Sequence, residues 1–204
     1  MYSPEKNPIT CLTTPKAIAS KSITIFAILL LFLSSRALAQ ETVATLQETL
    51  AQGQAALTAG DYEGAFQAFE TIQSTFSKEP EVAERVFQIT IKPLHAYSAL
   101  LSGETETAIR LFASFVEEFP DDRTRLSFVL FNLARAYSDE GQSEKAIETY
   151  KRFVSLDPNR AEATLATLEA VRLMFETGKE DEAFQTLDNI YANQREGVLR
   201  TKAR

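Results

Sequence analysis

The amino-acid sequence predicts an all-α fold: a right-handed α-solenoid of about four helix-turn-helix repeats, preceded by a signal peptide. Three observations carry this prediction. Gly60, Gly103, Gly141 and Gly178 are each followed five residues later by an alanine (Ala65, Ala108, Ala146, Ala183). Four residues beyond each alanine comes a large apolar side chain: Phe69, Phe112, Tyr150 or Leu187. Ahead of the third glycine, "SFVLFNLARAYSDEG" sets Leu130, Leu133, Ala134 and Tyr137 at i, i+3, i+4 and i+7, the apolar stripe of an amphipathic helix. Four concordant copies of one signature mark a repeat architecture.

The N-terminal segment stands apart from this pattern. Residues 1–21 hold Lys6, Lys16 and Lys21 against a single acid, Glu5. "SITIFAILLLFLSS" follows as a nearly unbroken apolar run, and Ala37 and Ala39 then present small residues at the positions a signal peptidase reads. The expected signal peptide is residues 1–39, with cleavage after Ala39. The run is short of the roughly 20 residues of a comfortable membrane span. An uncleaved inner-membrane anchor is the alternative, and Arg36 beside the cut speaks for it. Cys11, the one cysteine of the chain, lies upstream of the run, so the segment that follows has no disulfide, thiol nucleophile or thiolate ligand.

Cleavage would remove four basic residues and one acid, leaving a net charge of −10. Such a surface repels phosphate backbones and argues against nucleic-acid binding. The exception is the end, "REGVLRTKAR", where four cations face Glu196. Residues 198–204 are read as a basic tail, either solvated or in weak contact with anionic lipid.

Each repeat position has a physical reason. Glycine just past the first helix takes the left-handed conformation at no steric cost. Acidic residues or serine open the second helix, favoured by its dipole. Alanine marks the closest approach of the two helices, and the aromatic or leucine one turn later fills the gap beyond. Pro120 and Pro158 stop the second helices of copies two and three. Ahead of copy two, "EPEVAERVFQITIKP" favours a long helix of about Glu81–Ser102 kinked at Pro93, over a shorter one that starts there.

The third copy closely resembles the tetratricopeptide repeat (TPR) family. Leu130, Leu133, Ala134, Tyr137, Ala146, Tyr150 and Pro158 match its consensus, with Phe153 in place of the second alanine. The other copies are looser. Copy one offers Gly53 and Ala56, Lys92 and Pro93 disturb copy two, and copy four substitutes Ala170, Met174 and Ile190. The resemblance spans about residues 46–197, within a domain of 40–197 whose repeats are expected at about 46–79, 89–122, 127–160 and 164–197. The marker glycines are 43, 38 and 37 residues apart rather than the family's 34. That spacing, with "FVEEFPDD" between two pairs, resembles bacterial envelope members of the family. Among these are the lipoprotein of the outer-membrane barrel assembly machinery and the periplasmic coordinators of the Tol-Pal system.

The resemblance implies a concave groove lined by first-helix residues. Carried over, these are Leu50, Gln54 and Leu57, then Tyr97 and Leu101. The third copy supplies Phe128, Phe131, Arg135 and Ser138, and the fourth Leu165, Leu168, Arg172 and Phe175. The three phenylalanines either offer an apolar surface to a partner or pack against the adjoining repeat. Arg135 and Arg172 share one register, 37 residues apart, and suit an acidic stretch or a chain-end carboxylate. Local ion pairs to Asp139, Glu169 or Glu176 are the competing role. The carboxylate clamp of chaperone-binding members is absent as a set, since only Asn132 matches it.

Nothing points to catalysis. His95, the sole histidine, falls at a packing position and reads as a satisfied core residue, with no second His or Cys to complete a metal site. Glu117, Glu118, Asp121 and Asp122 lack the alternation of a calcium loop and read as a solvated turn. No nucleophile elbow or phosphate-cradling loop is present, and no cofactor is implied. The expectation is a non-enzymatic, exported, periplasmic scaffold that takes a peptide or helix in its groove, with envelope assembly or cell division as the setting the resemblance suggests. A membrane-anchored accessory protein that acts by oligomerising is the alternative.

Overall fold

A computed structural model describes residues 42–78, 82 and 84–202, with side chains given for those up to 192 except 86. The expected signal peptide, with Ala37 and Ala39, lies outside the described residues. By its internal contacts the chain divides into residues 1–47 and 48–204. Of the first unit, the described part is the opening of one helix, 42–47.

All described secondary structure is helical. We number the helices α1 (42–59), α2 (Tyr62–Thr75), α3 (Arg85–Ser102), α4 (Thr105–Glu118), α5 (Arg123–Asp139), α6 (Ser143–Leu156), α7 (Glu162–Glu176) and α8 (Glu180–Lys202). From α2 onward each helix packs chiefly on the next, and the first helices α3 and α5 also touch. Contacts between sequential neighbours are the signature of a solenoid. The described residues from 48 to 202 form that α-solenoid.

The hairpin turns follow the signature residue by residue. All four marker glycines have positive φ, between 69° and 92°, and no other described residue does. The alanines that follow are fully buried. Asp61 caps α2, its Oδ1 accepting from the Gly64 amide at 3.0 Å, and Asp122 caps α5 by accepting from the Arg125 amide at 3.1 Å. In α1, Gly53 is needed for closeness. A Cβ there would come 3.0 Å from the Phe69 ring.

Pro93 is an interior residue of a long helix, not the first residue of a short one. The helix starts at Arg85, after an extended Glu84, rather than near Glu81. Beyond Gly178, α8 continues through 198–202, the stretch read as the start of a tail.

The core has two main layers that share α5. Ala99, Phe112 and Phe115 of α3 and α4 meet Val129, Leu133 and Ala136 on one side of α5. Leu126, Leu130 and Ala134 on its other side join Tyr150 and Phe153 of α6, Ala166 and Met174 of α7, and Ala183 of α8. Each fully buried large side chain contributes about 1.5–3 kcal/mol, so neighbouring pairs hold one another together.

Candidate functional site

Three consecutive helices build a cleft of about 410 Å³. Phe131, Arg135, Ser138 and Asp139 come from α5, Leu165, Glu169 and Arg172 from α7, and Tyr150 of α6 closes the floor. The spacing of 37 between the marker glycines sets α7 beside α5 in register, so Arg135 and Arg172 line one cleft.

The two guanidinium groups have different surroundings. Arg172 Nε donates to Glu169 Oε2 at 2.9 Å and its Nη1 to Glu176 Oε1 at 2.6 Å, while Nη2 reaches Ser138 Oγ at 3.2 Å. The hydrogen bonds to Glu169 and Glu176 raise its pKa further. Arg172 therefore takes the local ion-pair role. Arg135 makes only a long contact, Nη1 to Asn132 Oδ1 at 3.5 Å, and no carboxylate among the described residues pairs with it within 4.0 Å. Asn132 in turn donates to the Phe128 carbonyl at 2.9 Å. Arg135 is the half-exposed cation of the cleft with charge to offer.

Beneath it lies Tyr150. Burial, reinforced by the negative charge of Glu169, pushes its phenol up to about 12 against the opposing pull of Arg135. The hydroxyl stays protonated and can donate. Tyr150, expected only to pack, thus offers a donor to the cleft, and Asp139 and Glu169, expected only as ion-pair partners, line it. A signal for Tyr150 was present, since copies one and two put phenylalanine at the same place.

The other predicted groove residues divide. Phe131 lines the cleft yet also packs at 5.4 Å from the Phe153 ring and 6.2 Å from that of Tyr150. Tyr97 and Phe128 form an edge-to-face pair, 5.3 Å between centroids, bridging α3 and α5 away from this cleft. Leu168 is exposed and does not line it. Phe175 pairs with Phe184 of α8 at 5.2 Å, near the C-terminal end. Leu50, Leu57 and Leu101 are half-buried and Gln54 is exposed, and none contributes here.

The remaining polar candidates have structural work. Glu118 accepts from Lys92 Nζ at 2.6 Å and from Ser114 at 2.7 Å, and Asp122 is a helix cap, so the acidic turn is more than solvated. Among the described residues no group of three His, Cys, Asp or Glu could hold a metal ion. His95 is buried, as expected, with the rings of Phe66 and Phe69 at 5.4 and 6.3 Å. It is not satisfied in the way expected. Its Nε2 lies 3.1 Å from Glu70 Oε2 but off the direction of a hydrogen bond, leaving both ring nitrogens without an aligned partner. Burial holds its pKa below the ordinary value, against Glu70, which raises it.

Stacked helix hairpins with a cleft between successive first helices define an α-solenoid repeat protein. Tetratricopeptide repeat models match residues 94–122 and 129–160, the second and third hairpins. The chain contains tetratricopeptide repeats over those two stretches. Solved structures similar to it share the fold at low identity. The nearly identical TPR-like repeats of a Podosopora anserina protein described as a kinesin light chain align at TM-score 0.60 and 17% identity, over 74% of this chain and 76% of that one. MamA from Desulfovibrio magneticus RS-1, residues 41 to the end, aligns at 0.57 and 18%, over 90% and 97%. A tetratricopeptide repeat protein from Parabacteroides merdae aligns at 0.58 and 19%, over 74% and 54%. No curated protein sequence matches the chain significantly.

Proposed function

We propose that this chain is a non-enzymatic scaffold that holds a peptide or helix of another protein in the cleft between α5 and α7. The observation that carries the proposal is the unpaired Arg135 beside exposed Leu165 and the Phe131 edge. A guanidinium without a carboxylate, next to apolar surface, suits a partner segment that brings an acceptor and an apolar side chain together. Tyr150 adds a donor at the floor, and Asp139 and Glu169 keep the cleft from being uniformly basic. In this reading the scaffold is exported to the periplasm after cleavage behind Ala39, and serves envelope assembly or division.

The test is in-cell cross-linking with the full chain, followed by pull-down. Arg135→Glu with Leu165→Ser should lose the captured protein while leaving the melting curve unchanged, because both side chains are at least partly exposed. A partner retained by that variant would refute groove binding. The intact mass of the exported protein tests location. A chain starting at Gln40 supports a free scaffold, and a retained Met1 supports the anchored alternative.

A further inference from the structure

The last helix carries a second surface, independent of the cleft. It is 23 residues long, whereas α2, α4 and α6, which hold the same place in their hairpins, have 14 each. Aligned on the buried alanines, Phe184 of α8 falls where α6 has Ile147, and Tyr191 where α6 has Val154. Ile147 is 4% exposed and Val154 packs on the same core, to which α7 contributes. Phe184 and Tyr191 are 57% and 69% exposed. Positions that serve as hairpin-to-hairpin contacts elsewhere thus carry aromatic rings open to solvent.

What covers them follows from the layout of the helix. Phe184, Tyr191 and Val198 recur every seven residues, the spacing of a helix–helix seam. The first turn is acidic, Glu180, Asp181 and Glu182, while the second half carries Arg195, Arg200 and Lys202. Tyr191 is the midpoint of the helix. An antiparallel pair crossing there sets Phe184 against Val198 of a second copy and Glu180 against Lys202, whereas Glu182 lies on the opposite face, paired with Lys151 of α6. Parallel pairing would oppose like charges. Continuing the stack head to tail is disfavoured as well. Ala166 and Ala170 of α7 are buried in the core shared with α6, and the matching positions of α1 are Glu48 and Gln52, both exposed and polar.

We infer that α8 is a self-association surface on which two copies of the chain pair antiparallel about Tyr191. The interface is two-fold symmetric and self-complementary, as closed dimers require.

Light scattering and sedimentation of the full chain across about 1–100 µM test it, with a dimer expected in the specific-interface range. Phe184→Glu with Tyr191→Glu should give a monomer of unchanged melting temperature. Glu180→Lys, and separately Lys202→Glu, should each weaken the dimer at least about tenfold through like-charge contact. Mixing those two charge variants should restore it as a heterodimer. In a Cys11→Ser chain, Tyr191→Cys should cross-link to itself on oxidation and Glu180→Cys should not. A wild-type monomer throughout the range would overturn the inference. So would a dimer indifferent to the aromatic replacements, or charge variants that fail to rescue each other.

Discussion

The second helices of the third and fourth hairpins are built on one plan and end in opposite situations. In α6, Ala146, Ile147, Tyr150 and Phe153 are all buried, because α5 lies on one side and α7 on the other. Among the described side chains of α8 only the alanine reaches the same depth. Leu187 and Ile190 are half-buried and Phe184 is exposed, because contact comes from the preceding side alone. The same letters at the same spacing therefore yield core in one place and surface in the other. A repeat position has no burial of its own, and its neighbour supplies it.

The largest expected effect separates the two helices outright. Phe153→Ala should cost about 3–5 kcal/mol in urea unfolding, and Ile190→Ala at the equivalent position clearly less, because its site already meets solvent. Equal losses would break the comparison. Next, Ile147→Ala should cost about 2–5 kcal/mol, while Phe184→Ala, measured at low protein concentration, should stay within about 1 kcal/mol as an exposed replacement. Ala146→Leu should overpack the crossing of α5 and α6 by about 1–3 kcal/mol, read as a lowered melting temperature.

A smaller effect belongs to the earlier hairpins and sharpens the contrast, since neither α6 nor α8 holds a buried titrating imidazole. His95 has a folded pKa below its unfolded 6.5, so unfolding takes up a proton between those values. Its neutral form is compatible with folding at full strength above pH 6.5. Stability should decline as pH falls from there through the folded pKa, and level off below it. His95→Leu should flatten that part of the melting profile. If the slope survives the replacement, another group is responsible. The smallest effect is expected for Lys151→Ala, which removes the exposed pair joining α6 to Glu182 of α8 and should cost less than about 1 kcal/mol.

Much of the fold was legible because its determinants are local. The left-handed turn at Gly141, the buried Ala146 and the stop before Pro158 each depend on backbone preference or a single close approach. The long helix through Pro93 was legible too, though its start at Arg85 was not, since no side chain caps it. The cleft was only partly legible. The common register of Arg135 and Arg172 placed them together, but register says nothing about which arginine finds carboxylates. Glu169 and Glu176 stand three before and four after Arg172 on one helix and take it. Asp139 stands four after Arg135 and leaves it free.

The sequence by itself determined that the chain forms helical hairpins, where each one turns, and which small residue marks every crossing. Those features are set within a few residues of chain by sterics, capping and helical periodicity. Only the tertiary structure decided that Arg135 keeps its charge available, that Tyr150 lies under the cleft, that Phe131 is half core, and that Phe184 and Tyr191 face solvent. The physical reason is that burial and ion pairing depend on what stands opposite a side chain, and across stacked hairpins that neighbour is fixed by packing rather than by adjacency in the chain.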